Sequence, residues 1–295
     1  MTDDTATIAV LGPGAVGGAL AVPLALSGVR VVCVARPETA AVIARDGLTL
    51  ERRDEVLHAR LDATDELHEP VDLLLVTVKA PMLQAALDRV VAEPTSVLPF
   101  MNGLEHVDAI RRRLEGRVVA GSIGRLEAYR ATPTRAVQTT AAPLVTVASE
   151  DRAAVLLRTA GFEVRIGESE RAVLWEKLAR LAPLAAATAI TQRPLGELRT
   201  DPHWRTTLEA AVDEACAVAA AEGVRLTRAA QWEILDTMPA SVTTSAARDA
   251  AARRPTEIDA IVGAVVRAAK RFDVPAPTLE QLLAEAEEAC RAQSR

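Results

Sequence analysis

Aromatic residues are nearly missing from this 295-residue chain: three Trp, three Phe and one Tyr, 2% of the total. With 49% hydrophobic residues drawn mostly from Ala, Val and Leu, the core suits an α/β layer and packed helices rather than an all-β architecture. Cysteine is scarce as well. Cys33, Cys216 and Cys290 are odd in number and far apart, which excludes a disulfide framework and gives no metal-ligand spacing, so no metal and a reduced, cytoplasmic setting are expected. Long apolar runs are also wanting. The stretches Leu181–Ile190 and Ala211–Ala221 are alanine-rich or interrupted by charge and too short to span a bilayer, and no basic-plus-apolar leader opens the chain, so no membrane association is expected. Nor is there an excess of positive charge: the net charge is −6 with both signs mixed along the chain, which argues against a nucleic-acid partner. Arg111–Arg113 and Arg253–Arg254 are short runs that suit solvated helix faces or local ion pairs.

What the chain does have stands at its start. Ile8–Leu11 is a short apolar run, Gly12-Pro13-Gly14-Ala15-Val16-Gly17 follows as Gly-x-Gly-x-x-Gly, and Ala19-Leu20-Ala21 continues as a helix. In that context Gly12 permits a sharp turn, Gly14 lets backbone approach a pyrophosphate, and Gly17 lets helix pack against strand. The six residues Gly12, Pro13, Gly14, Ala15, Val16 and Gly17 are therefore candidate dinucleotide contacts. A second strand, Val29–Val34, ends in Ala35-Arg36-Pro37, where NAD-binding units usually carry an acidic residue for the ribose 2′-hydroxyl. A guanidinium can instead grip a 2′-phosphate, so Arg36 points to NADP (as NADPH). Glu38 could take the acidic role but lies past the proline, and Arg36 could also be an ordinary surface arginine.

Alternation continues with a helix at Glu38–Asp46, a strand pair at Leu48–Glu51 and Leu57–Leu61, a buried strand at Val71–Val78, a helix at Pro81–Val91 and strands at Ser96–Phe100 and Val118–Ser122. Strands at Ala136–Thr140 and Leu144–Ala148, a helix at Asp151–Thr159 and the strand Glu163–Ile166 follow; from Glu168 onward all reads helical. The expected fold is α/β, an N-terminal Rossmann-type doubly wound sheet (1–167, the NADP-binding domain) with a C-terminal all-helical domain (168–295, for substrate and closure).

Polar residues at the carboxyl ends of such strands are candidates for chemistry. Lys79 could contact cofactor or merely open a helix, and Asn102-Gly103 is a turn dipeptide by composition; Ser122 occupies a similar place. Lys177, in Trp175-Glu176-Lys177-Leu178, taken alone suits a lysine snorkelling off its helix. Glu257 falls in the first turn of a helix opened by Pro255, where acidic residues complement the dipole.

Taken in order, Gly12–Gly17, Val34-Ala35-Arg36, Val78-Lys79, Asn102-Gly103, Trp175-x-Lys177-Leu178, Gly196-Glu197-Leu198, Ser245 and Arg254-Pro255-Thr256-Glu257-Ile258-Asp259 resemble the ketopantoate reductases (2-dehydropantoate 2-reductases) across essentially the whole chain. The resemblance implies NADPH-dependent reduction of a 2-oxo acid to a 2-hydroxy acid. It implies Lys177 as general acid, Glu257 as the carboxylate that holds the lysine and shapes the closed site, Asn102 and Ser245 as substrate or cofactor contacts, and Arg36 as the 2′-phosphate residue. A small-molecule carbonyl compound is the expected partner; a homodimer is expected only because two-fold oligomers are common.

One departure stands out. The family carries asparagines where this chain has Leu181, Ala185 and Leu195. Each lost hydrogen bond to a buried substrate hydroxyl costs on the order of 1–3 kcal/mol, so Leu181 and Ala185 are expected to line a more hydrophobic pocket for an apolar 2-oxo acid or other carbonyl compound, unless groups such as Gln192 and Arg193 compensate. An NADP-binding sensor without activity, or a dehydrogenase of another hydroxy acid, stays open on sequence grounds. Restoring asparagine at both Leu181 and Ala185 is expected to raise ketopantoate turnover; steady-state kinetics of the double variant with no gain would count against the apolar-pocket reading.

Overall fold

The computed structural model describes residues 6–140 and 143–294; the segment where a leader would sit, 1–5, is outside them. The chain forms two compact units, one from the described residues through Met101 together with His106–Val173, the other from Asn102–Glu105 together with Leu174 onward.

The first unit is built on six parallel strands: β1 (Thr7–Leu11), β2 (Arg30–Val34), β5 (Asp62–Thr64), β6 (Leu73–Val76), β7 (Ser96–Pro99) and β8 (Arg117–Val118), in the order β5-β2-β1-β6-β7-β8. The order reverses between β1 and β6, which is the switch point of a doubly wound sheet. β3 (Leu48–Glu51), β4 (Val56–Ala59), β10 (Ala128–Thr132) and β11 (Arg135–Gln138) form a second sheet, and β9 (Gly121–Gly124), β12 (Leu144–Val147) and β13 (Glu163–Ile166) a third.

Helix α1 (Ala15–Leu26) lies against both the first and the second sheet. Its run from Gly17 to Leu24 is buried, which is why its sequence is apolar on every face rather than striped. The connecting helices α2 (Pro37–Asp46), α3 (Leu83–Leu87), α4 (His106–Arg111) and α5 (Arg152–Thr159) complete the unit, α5 capped by Asp151, whose carboxylate accepts the Ala153 and Ala154 N–H groups.

Two expectations need correction. The run Val118–Ser122 is not one strand: β8 stays in the parallel sheet, while β9 crosses to the third sheet, where Ser122 pairs with Thr146. Ser122 is thereby removed from the carboxyl edge of the parallel sheet. The helix expected at Pro81–Val91 is a 3-10 turn at Ala80–Met82 followed by α3, which ends at Leu87. Beyond it the Val91 N–H donates to the Leu67 carbonyl (3.0 Å) and Val90 bridges Leu67, so pairing with a remote segment overrides helix propensity. Strand β10 carried no sequence signal; it is mostly exposed and exists through its pairing with β11.

The second unit is helical: α6 (Glu170–Thr191, which starts in the first unit), α7 (Leu195–Thr200), α8 (Pro202–Ala221), α9 (Arg228–Thr237), α10 (Ser245–Ala251), α11 (Ala264–Arg271) and α12 (Pro277–Ser294). Helices α7, α9, α11 and α12 all pack on α8. Its buried face, Leu208, Ala211, Val212, Ala215 and Ala219, follows the three-and-four spacing of one helix side, and the small alanines let neighbours approach closely. Trp175 is fully buried, with its indole N–H on Glu222 (3.0 Å), so its polar atom is satisfied.

At the switch point, a Cβ added to Gly17 would lie 2.5 Å from the Gly12 carbonyl oxygen and 2.6 Å from Thr77 Oγ1. Gly17→Ala is therefore expected to destabilise the protein by about 1–3 kcal/mol, as overpacking of a tight core does. Denaturant unfolding with Gly14→Ala as control, where the nearest atom would be 3.9 Å away, checks this: a drop confined to Gly17→Ala is the expected result.

Candidate active site

In the first unit the candidate residues gather around the carboxyl ends of β1, β2 and β6. Gly12 follows β1 with φ +86°, and its N–H donates to the Val34 carbonyl (2.9 Å). A side chain there would meet both the strained backbone and Val78 Cγ1 at 2.4 Å. Thr77, just after β6, donates its hydroxyl to the Gly12 carbonyl (2.8 Å) and its N–H to Leu11 (3.0 Å). It thus fixes the glycine turn from the far side of the switch point. Sequence reasoning passed over Thr77; its place after a buried strand was the available signal.

Helix α1 begins at Ala15 with no side-chain cap and no acidic residue in its first turn, leaving a helix N-terminus suited to an anion. A Cβ at Gly14 would meet only the Gly12 carbonyl oxygen, at 3.9 Å, so packing does not demand a glycine there. Arg36 follows β2 and is exposed; its carbonyl accepts the Ala40 N–H (2.9 Å), while its guanidinium makes no hydrogen bond or ion pair among the described residues. Lys79 is exposed beyond β6. These features fit a dinucleotide: glycines with a vacant approach, an unneutralised helix end, and a cation at the tip of the second strand.

The second unit holds the other candidates. Lys177, on α6, does not snorkel: its Nζ donates to Asn102 Oδ1 at 3.0 Å. The Asn102 amide in turn donates to Glu257 Oε2 at 3.4 Å, so Asn102 stands between lysine and carboxylate. Asn102 therefore belongs, with Gly103, Leu104 and Glu105, to the helical unit rather than to the sheet that precedes it in sequence.

Glu257 is 6% exposed. It does not sit within the first turn expected after Pro255. Its carbonyl accepts the Ile261 N–H (2.9 Å), and a π-helical turn at Asp259–Gly263 follows and leads into α11. Glu257 thus precedes the helix, and its side chain is directed to Asn102.

The charged end of Lys177 is enclosed although part of its side chain remains accessible. Desolvation, then the Arg180 cation, push its pKa down from 10.5 to about 8, and Glu257 opposes the fall. Arg180 is oriented by the Glu176 carbonyl and by Gln231 Oε1 (3.1 Å). Such a lysine holds a proton at neutral pH yet releases it readily, as a general acid must.

Ser245 is the first residue of α10, whose N-cap Thr244 accepts the Ala247 N–H (3.2 Å). A buried hydroxyl pair, Thr188 to Thr244 at 2.7 Å, ties that cap to α6. Of the positions where amides were expected, Leu181 is partly exposed, whereas Ala185 and Leu195 have no accessible surface. Gln192 donates to the Ala189 carbonyl (2.9 Å), and Arg193 is paired with Glu197 and Asp201, both at 3.0 Å.

The three cysteines are free; burial pushes Cys33 up to about 12 and Cys216 to about 11, so neither is a thiolate nucleophile. No group of three or more His, Cys, Asp or Glu able to hold a metal occurs among the described residues, and no described helix is long and apolar enough to cross a membrane.

A doubly wound sheet with a dinucleotide turn, joined to a helical unit with an enclosed lysine, defines an oxidoreductase of the pyridine-nucleotide kind. Residues 8–150 match the family described as Ketopantoate reductase PanE/ApbA, and residues 170–289 its C-terminal part. The 2-dehydropantoate 2-reductase of Caulobacter vibrioides is 31% identical over 94% of this chain and 97% of its own length. The PanE/ApbA family ketopantoate reductase from Ralstonia eutropha superposes with a TM-score of 0.87 at 29% identity, covering 98% of this chain and 100% of that one. D-mandelate dehydrogenase, solved with NADH and anilino(oxo)acetate, reaches a TM-score of 0.89 at 21% identity, over 98% of this chain and 100% of that one, a likeness of fold alone. The chain belongs to the ketopantoate reductase family.

The depressed lysine pKa can be tested without any substrate. Lys177 releases its proton near pH 8 when folded and near 10.5 when unfolded, so within that window the unfolded state binds more protons and wild-type stability from this group rises with pH. Lys177→Met lacks that rise. The stability of the variant relative to wild type is expected to fall between about pH 8 and 10.5, measured by thermal melts; a difference independent of pH would contradict an enclosed ammonium.

Proposed function

We propose that this protein is an NADPH-dependent reductase that converts a 2-oxo acid to a 2-hydroxy acid, with a substrate pocket more apolar than the family's usual one. The observation that carries the reading is the Lys177–Asn102 contact, an enclosed ammonium with a neutral acceptor and a pKa near 8. The first unit would bind the cofactor through Gly12, Pro13, Gly14, Ala15, Val16 and Gly17, with the α1 N-terminus facing the pyrophosphate, Arg36 holding the 2′-phosphate and Lys79 adding positive charge. When bound, NADPH supplies the hydride.

The chain's own contribution is electrostatic and geometric. As negative charge grows on the substrate carbonyl oxygen, the Lys177 ammonium stabilises it and gives up an Nζ proton; an N–H bond breaks, an O–H bond forms, and the lysine is left neutral. Asn102 holds Nζ through its Oδ1 and is itself oriented by Glu257. Because Asn102 is neutral, the proton is positioned without being locked in an ion pair. Glu257 lessens the cost of enclosing the charge. Ser245, at the start of α10, would contact the substrate.

Leu181 is the part of the proposed apolar wall that retains surface; Ala185 and Leu195 are wholly buried and act by leaving no polar group there. Gln192 and Arg193 already hold partners within the helical unit.

The experiment is NADPH consumption with ketopantoate beside apolar 2-oxo acids such as 2-oxoisovalerate, with NADH as cofactor control and Arg36→Ala and Lys177→Ala as variants. Arg36→Ala is expected to raise the Michaelis constant for NADPH about tenfold or more, the worth of a charge-assisted bond, while leaving that for NADH nearly unchanged. Lys177→Ala is expected to abolish turnover with NADPH binding retained. Binding of NADPH with no turnover on any acid would instead support a sensor.

A further inference from the structure

Asn102 holds the lysine, and the loop that carries it is itself held from outside the catalytic set. Arg267, on α11, grips Glu105 with two bonds, Nε to Oε1 (2.8 Å) and a terminal nitrogen to Oε2 (2.9 Å). The same guanidinium reaches Asp259 Oδ1 (2.6 Å) and the Asp259 carbonyl (3.2 Å). Asp259 and Arg267 are eight residues apart on one face of the π-helical turn and α11, with Gly263 midway. A Cβ on Gly263 would lie 2.6 Å from Asp259 Oδ1 and 3.0 Å from the Arg267 guanidinium; the missing side chain leaves the path open. On the other side Gly103, at φ +97°, rests on the same turn so closely that a Cβ would fall 2.2 Å from the Ala260 carbonyl oxygen. The loop 102–105 is therefore seated on the π turn at Gly103 and fastened to it at Glu105, three residues from Asn102.

Stability does not account for this arrangement. Arg267, Glu105 and Asp259 are 43%, 55% and 71% exposed, and exposed ion pairs contribute little to folding. What the bidentate geometry does supply is direction. A π turn beside a catalytic carboxylate suits such a role, since these distortions recur at functional sites.

We propose that Arg267 is a positioning residue for the reduction: by gripping Glu105 and Asp259 together it fixes the Asn102–Glu105 loop on the π-helical turn and so sets the Asn102–Lys177 hydrogen bond. The proposal rests on the role given to Lys177 above and extends it to residues that have no direct hydrogen bond to Lys177, Asn102 or Glu257.

The test uses full-length Arg267→Met, Arg267→Lys, Glu105→Gln and Lys177→Ala. It reads kcat at saturating NADPH with ketopantoate or 2-oxoisovalerate, whichever the wild type turns over faster, beside amide hydrogen exchange over residues 102–105. Arg267→Met is expected to speed exchange in that loop and to lower kcat about tenfold or more, the scale of a small misplacement of a catalytic group. The Michaelis constant for NADPH and the melting temperature should stay near wild type. Arg267→Lys should restore part of kcat, Glu105→Gln should reproduce the loss, and the double variant of Arg267→Met with Glu105→Gln should lose no more than either alone. Unchanged loop exchange, or a wild-type kcat in Arg267→Met beside an inactive Lys177→Ala, would overturn the proposal alone. A fully active Lys177→Ala would overturn the site reading, and the proposal with it.

Discussion

An ammonium withdrawn from water needs an acceptor, and the choice of acceptor governs the chemistry available to it. A carboxylate in direct contact would hold the Lys177 proton and raise its pKa; no acceptor at all would leave the charge too costly to keep. Asn102 is the intermediate solution, a neutral oxygen 3.0 Å from Nζ with Glu257 one step behind. The helical unit is arranged around that bond. Helix α6 brings the lysine, the π turn presents Glu257, and the loop 102–105 leaves the sequence of the first unit to supply the amide.

The first unit meets a complementary constraint, the placing of backbone rather than of a charge. The glycine turn is fixed from three directions: the Val34 carbonyl holds the Gly12 N–H, Thr77 holds the Gly12 carbonyl, and Gly17 packs against both. Those contacts account for Gly12 and Gly17 without any ligand. Gly14 is different, since the protein itself would tolerate a side chain there. The end of α1 beside it has no side-chain cap and no acidic residue in its first turn, a helix N-terminus whose partial positive charge suits an anion.

The departure from the family at Leu181, Ala185 and Leu195 has a simple physical form. Apolar residues at these positions are content in a packed helical core, and two of the three are fully enclosed. An amide in their place would need partners, which in a relative a substrate could provide. Here the three apolar side chains need none, and two of them are satisfied by packing alone.

Much of this was legible in the residues alone. The doubly wound sheet, the helical second half, the glycine turn and the cation after β2 follow from local rules: apolar runs of strand length, glycines at fixed spacing, breaks at proline and glycine. The helix α5 was set by its own few residues, the Asp151 cap among them. Local rules failed where a distant segment intervened. Leu67 ends the helix begun at Leu83, and Ser122 leaves one sheet for another because Thr146 is its partner. They failed most at the site. Lys177 in isolation suits an exposed lysine, and its meaning depends on an amide 75 residues away that is bound to a carboxylate 155 residues further along the chain. The sequence by itself determined most of the elements and which of them carry reactive groups, because hydrophobic period and turn chemistry act over a few residues. Only the tertiary structure decided that Asn102 belongs with Lys177 and Glu257, and that Arg267 stands behind it, because desolvation and hydrogen bonding depend on which groups the folded chain brings together.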